Sequence, residues 1–126
     1  MKSTQESPFK GKTGVRRLIN ALGYSLDGMK AAFRHEDAFR QLVLLAIILI
    51  PMAFLIHAEP LARAMLVASS LATLIIELLN SAIEAAVDHT SLERHPLAKR
   101  AKDMGSAAQL LGLLNLAVVW ALVLFG

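Results

Sequence analysis

The sequence predicts an all-α membrane protein, with one amphipathic helix lying along the membrane surface followed by three helices that cross it. Three observations carry this prediction. Of 126 residues, 56% are hydrophobic, and the mean hydropathy is +0.54, far above a soluble domain of this size. The apolar residues collect in three separated runs, at about 41–57, 61–86 and 104–126, each near the roughly 20 residues a spanning helix needs. In hydrocarbon every backbone N–H and C=O must be satisfied within the protein, which here leaves helices.

Residues 1–13 are polar, contain Pro and Gly, and read as a loose tail ahead of a single domain over 14–126. Gly11-Lys12-Thr13 imitates the end of a phosphate-binding loop. However, Glu6 stands where that motif needs its first Gly, and no strand precedes it. From 14 to 35, Val15, Leu18, Ile19, Leu22, Leu26, Met29 and Phe33 share one helical face, with charges mostly off it. That pattern suits a helix at the membrane interface, although a soluble surface helix would look alike. The first span is short and carries Pro51, a candidate kink. In the second, Ala68 and Ala72, and again Ser81 and Ala85, stand four residues apart and suit close helix approach.

Charge sets the orientation. Eight of the 13 Lys and Arg residues precede the first span, and Arg94, Lys99, Arg100 and Lys102 lie in the connection between the second and third; Arg63 alone sits near the first connection. The positive-inside rule then places the N-terminus and the second connection in the cytoplasm and the C-terminus outside. No cleavable signal peptide is expected. With no cysteine, thiol chemistry is excluded. Aromatic residues are 6% of the chain, too few for a stacking platform, so no nucleic-acid partner is expected. The four histidines, 35, 57, 89 and 95, show no metal-ligand spacing.

The most informative stretch is Glu77-Leu-Leu-Asn-Ser-Ala-Ile-Glu84, which sets two carboxylates and a carboxamide in a spanning segment. Glu77, Asn80 and Glu84 follow i, i+3, i+7 and share a helix face. A charge kept at membrane depth is expensive, which makes it a functional candidate by default. Glu36, Glu84, Asp88, Glu93, Lys102 and Asp103 fall on the cytoplasmic side, and Glu77 lies roughly 10 Å deeper than Glu84 at helical rise. The shallow group offers oxygens for a hard cation such as magnesium and cations for a nucleotide's phosphates. The deep carboxylate offers a general base for a lipid hydroxyl. Plainer readings stand beside these. Glu77 could be a structural carboxylate, Glu84 and Asp88 a solvated helix end, Glu36 and Asp37 surface acids, and Arg16 and Arg17 headgroup anchors.

Four segments, Ala21-Leu-Gly-Tyr-Ser25, Glu36-Asp-Ala-Phe-Arg-Gln41, Glu77 to Asp88, and Ala101-Lys-Asp-Met-Gly-Ser-Ala107, together resemble the prokaryotic diacylglycerol kinase family, small integral-membrane lipid kinases. The resemblance runs without gaps from about Arg17 to Trp120, and the last two segments are highly specific. It implies an ATP- and magnesium-dependent phosphorylation of diacylglycerol in a bacterial inner membrane by a homotrimer whose sites combine neighbouring subunits. Glu77 matches the catalytic base, and Glu36 and Glu84 the carboxylates that hold magnesium. Arg17, Tyr24, Glu36, Glu84, Lys102 and Asp103 match nucleotide-contacting positions, as do Glu93, Arg94 and His95, where residue types are less fixed. Arg17, Glu77, Asn80, Ser106 and Trp120 match the lipid site. One departure is visible: Leu42 stands where a family member has an acid, so that acid's role does not carry over. Two alternatives stay open, an undecaprenol kinase of the same family and, from another class, a small proton-coupled exporter using Glu77.

Overall fold

Four α-helices make up nearly all of the described chain, residues 14–90 and 95–126 of a computed structural model. They are α1 (Gly14–His35), α2 (Asp37–Leu55), α3 (Pro60–Thr90) and α4 (Pro96–Phe125). The last three are each long and apolar enough to cross a membrane. Both α3 and α4 begin on a proline, whose fixed φ suits a first helical turn and whose missing N–H costs nothing there. Pro51 lies inside α2, which continues through it to Leu55.

Helix lengths explain how the polar ends arise. α2, with 19 residues, is about 28 Å long and only just matches a hydrocarbon core of about 30 Å. α3 and α4, with 31 and 30 residues, reach about 45 Å. Their surplus turns carry Asp88, His89, Lys99, Arg100 and Asp103, residues that belong at a wet surface. The two helices run antiparallel beside each other and form the main packing interface; α2 lies against α3.

The α3–α4 seam follows a period near 3.5. α3 buries Leu66, Ser69, Ser70, Thr73, Glu77 and Asn80. α4 answers with Gly105, Gln109, Gly112, Leu116 and Trp120. Such spacing keeps two helices in register along their length. Close approach is made by the glycines of α4: a methyl group at Gly112 would sit 2.6 Å from Ile76 Cδ1, and one at Gly105 would collide with the Asn80 side chain. Of the small residues of α3, Ala68 and Ala85 are exposed in the single chain and Ala72 and Ser81 half-buried. The hydroxyls of Ser69 and Ser70 donate to Leu66 O at 3.0 and 2.8 Å, and that of Thr73 to Ser70 O at 2.8 Å. Helix carbonyls thus satisfy them without a partner across the seam. At the end of the bundle near the α2–α3 turn, Ala53, Leu66, Leu116 and Trp120 form the apolar core.

Both joints around α2 are fastened by arginine. At the α1–α2 joint, Arg40 Nη1 donates to the carbonyls of Phe33 and Arg34 at 2.6 and 3.0 Å, while its Nη2 pairs with Asp37. At the α2–α3 turn, Arg63 donates to Ala53 O, Ile56 O and Ala58 O at 2.5, 3.2 and 2.8 Å. The last carbonyls of a helix have no partner within it, and a guanidinium supplies several donors at once. This gives the one basic residue near the first connection a structural occupation. α1 buries only Ala32. Its apolar residues Val15, Leu18, Ile19 and Leu22 are exposed, as on a helix whose greasy face rests on lipid.

Candidate functional site

Glu77 is buried at the α3–α4 seam, 4% exposed. Its Oε1 accepts a hydrogen bond from Gln109 Nε2 at 3.0 Å, and the same amide nitrogen donates to Thr73 O at 2.9 Å. Gln109 therefore spans a turn of α3 and fastens the carboxylate to α4. A deletion here would leave a buried polar group exposed to hydrocarbon, which is costly. Gln109 went unnoticed in the sequence because a lone glutamine in an apolar run carries no motif. The available signal was its place between Gly105 and Gly112, at offsets of four and three, on the face those glycines open.

Two turns along α3 stands Glu84, half-buried and within electrostatic range of Glu36, Glu77, Lys102 and Asp88. Glu36 occupies the single-residue break between α1 and α2, with extended backbone (φ −119°, ψ 112°), and its side chain makes no capping bond to α2. That leaves its carboxylate for other work. It lines a cleft of about 700 Å³ between α1 and α3, together with Ser25, Gly28, His35, Ser81 and Ala85. Among the described residues neither Glu36 nor Glu84 is held in a salt bridge, and no group of three potential ligands forms a metal cage. Two neighbouring carboxylates without a cage fit a hard divalent cation that takes its other ligands from phosphate and water.

The rim is completed from α4. Lys102 Nζ lies 2.7 Å from Asp88 Oδ1 and ties the polar ends of α3 and α4 together. Lys99 pairs with Asp103 at 2.7 Å within α4. Both lysines precede the apolar stretch that opens at Met104. Each ammonium is pushed up from its usual pKa, chiefly by the hydrogen bond to its carboxylate partner. His95 caps α4, its Nδ1 accepting from Leu97 N at 3.1 Å.

One chain gathers some of the expected site residues and separates others. Glu36, Glu84, Asp88 and Lys102 form the rim, with Glu77 beneath it. Asn80 is buried one turn from Glu77 against Gly105, its Oδ1 without a partner. Arg17 and Tyr24 are exposed on α1; Arg17 lies 19 residues before Glu36, about 28 Å along the helix. Ser106 is exposed near the rim, whereas Trp120 is packed in the core 14 residues further on, about 21 Å away. Leu42 is buried in the bundle, where an acid would need a partner. Glu93 and Arg94 lie outside the described residues, as does the Gly11-Lys12-Thr13 tripeptide.

Comparison with known proteins agrees with the geometry. The family model for prokaryotic diacylglycerol kinase matches residues 23–124. The diacylglycerol kinase of Pseudomonas aeruginosa is 62% identical over 120 residues, which is 95% of this chain and 98% of that protein. That of Helicobacter pylori is 48% identical over 91% and 89% of the two chains, and that of Escherichia coli 41% identical over 90% and 93%. An all-helical chain with three potential spans, matched to these relatives almost end to end, belongs to the prokaryotic diacylglycerol kinase family.

Proposed function

We propose that this chain transfers the γ-phosphoryl group of ATP to the primary hydroxyl of diacylglycerol, giving phosphatidic acid. The observation that carries the reading is a carboxylate, Glu77, buried at the seam about 10 Å of helix beneath the Glu84 rim. A membrane lipid brings its hydroxyl from below, and a nucleotide brings its phosphates from water. The boundary between them is where this chain keeps its acids and lysines.

The reaction is a direct in-line displacement. Glu77 takes the proton from the lipid hydroxyl, whose oxygen forms a bond to the γ-phosphorus as the bond to the β–γ bridging oxygen breaks and ADP leaves. Positioning and charge neutralisation supply most of the catalysis in such transfers. Glu36 and Glu84 would hold magnesium, which when bound offsets the negative charge of the phosphates. Lys102 faces the same phosphates, and Asp88 holds its ammonium at the rim until they arrive. Tyr24, Glu93, Arg94, His95 and Asp103 are assigned to the nucleotide, and Asn80, Ser106 and Trp120 to the lipid.

The separation of Arg17 from the rim by about 28 Å of helix supports a homotrimer in which α1 of one subunit serves a neighbour's site. Charge distribution supports an inner-membrane protein with its N-terminus and the α3–α4 connection in the cytoplasm, where ATP is available. The test is incubation of purified protein with labelled ATP, magnesium and a panel of lipid alcohols. Label is expected in phosphatidic acid. Label confined to a polyprenyl phosphate would move the assignment to undecaprenol, and no labelled lipid at all would refute kinase action.

A further inference from the structure

We propose that Gln109 is a positioning residue for phosphoryl transfer: it holds one oxygen of Glu77 so that the other meets the lipid hydroxyl. The inference rests on the reading of Glu77 as the base and adds a residue to it.

The amide's orientation follows from its partners. Nε2 lies 2.9 Å from Thr73 O and 3.0 Å from Glu77 Oε1. A backbone carbonyl can only accept, so the nitrogen must face it, and the second N–H then faces the carboxylate. Turning the amide over would set its oxygen against the Thr73 carbonyl. Thr73 therefore decides that Gln109 donates to Glu77, and Oε2 is the oxygen left for a hydroxyl. Gln109 itself is buried, 9% exposed. Its Oε1 has no partner and rests in the space beside Gly112, where a methyl group would approach it to 2.9 Å.

The energetic logic favours this role over packing alone. Hydrogen-bonding to Thr73 O would satisfy the amide nitrogen in part, and an apolar side chain of the same size would fill the seam with no polar group to satisfy. Carrying a carboxamide with one unpaired oxygen in hydrocarbon is costly. What the chain obtains is a glutamate with one allowed placement instead of several rotamers. A base must lie within hydrogen-bond reach of the proton it takes, and small misplacements lower the rate steeply.

The test compares Gln109→Leu with the native protein in mixed micelles, with saturating and limiting substrates. Loss of a hydrogen bond to a charged group predicts a fall in kcat of roughly tenfold to a hundredfold. KM for ATP and for lipid should stay within about twofold, because neither substrate loses a contact. The Gln109→Leu change is then made in a Glu77→Asp background, whose shorter carboxylate the amide does not reach. There it should cost little further activity. A native kcat in Gln109→Leu, or an equal loss in both backgrounds, overturns the proposal. Should the Leu variant fold poorly, Gln109→Met, of similar length and flexible, carries the same expectations. Glu77→Gln keeps the two readings apart. Native turnover in that variant removes the base, and this inference with it; an inactive Glu77→Gln beside a native Gln109→Leu removes only the role of Gln109.

Discussion

At the residue scale, burial and bonding separate Glu77 from the other acids among the described residues. It is 4% exposed and held at one oxygen, whereas Glu84 is half-buried at the rim and Asp88 exposed. This division predicts different consequences for the same chemical change. Glu77→Gln should lower kcat by about a hundredfold to ten-thousandfold, the usual contribution of a general base, with nucleotide affinity by calorimetry unaltered. Glu84→Gln should instead raise the magnesium concentration needed for half-maximal rate. A near-native rate in the first variant, or an unmoved magnesium titration in the second, would reverse the respective assignment. The Glu77–Asn80–Glu84 stripe was visible in the sequence because its spacing repeats with the helix. Gln109 was not, since its partners lie 32 and 36 residues away and only the docking of α4 on α3 joins them.

At the element scale, two arginines satisfy carbonyls at the joints on either side of α2. Glu36 supplies no side-chain cap to the helix that follows. Arg40 and Arg63 reach back to the carbonyls of the helix before. Arg63 is half-buried at the end of the bundle opposite the rim and also lies 6.0 Å from the Phe54 ring. Arg63→Ala should therefore lower stability by about 1–3 kcal/mol, since three carbonyls lose their donor in a poorly hydrated place. The measurement is thermal unfolding in detergent, with activity per folded molecule expected to stay native. A variant that melts like the parent would show that water or lipid headgroups replace the guanidinium. The glycine spacing on α4 is the other device of this scale: Gly105 and Gly112 open the seam to Asn80, Ile76 and Gln109.

At the scale of the whole molecule, one chain builds the Glu77 seam and its rim but leaves Arg17 exposed about 28 Å of helix before Glu36. A homotrimer with shared sites predicts complementation. Arg17→Ala and Glu77→Gln subunits, each inactive alone, should regain activity when mixed and reassembled, because some sites then draw an intact arginine and an intact glutamate from different chains. Failure to regain any activity, with mixed trimers verified by crosslinking, would place each site within one chain.

The sequence by itself determined the class, the number of spans, the amphipathic face of α1 and the polar face of α3. These are periodic properties of contiguous residues, set by water and lipid acting on each helix separately. The family was legible for a related reason, in contiguous segments such as Glu77 to Asp88. Tertiary structure decided which side of each helix meets which neighbour. It placed the close approach of α3 and α4 at the glycines of α4, paired Lys102 with Asp88, and set Gln109 against Glu77. The physical reason is that a seam is a relation between two helices. Its register depends on where a side chain is small enough to let the other backbone in; Gly105 and Gly112 mark such a face on α4, but the residues that meet it lie on another helix.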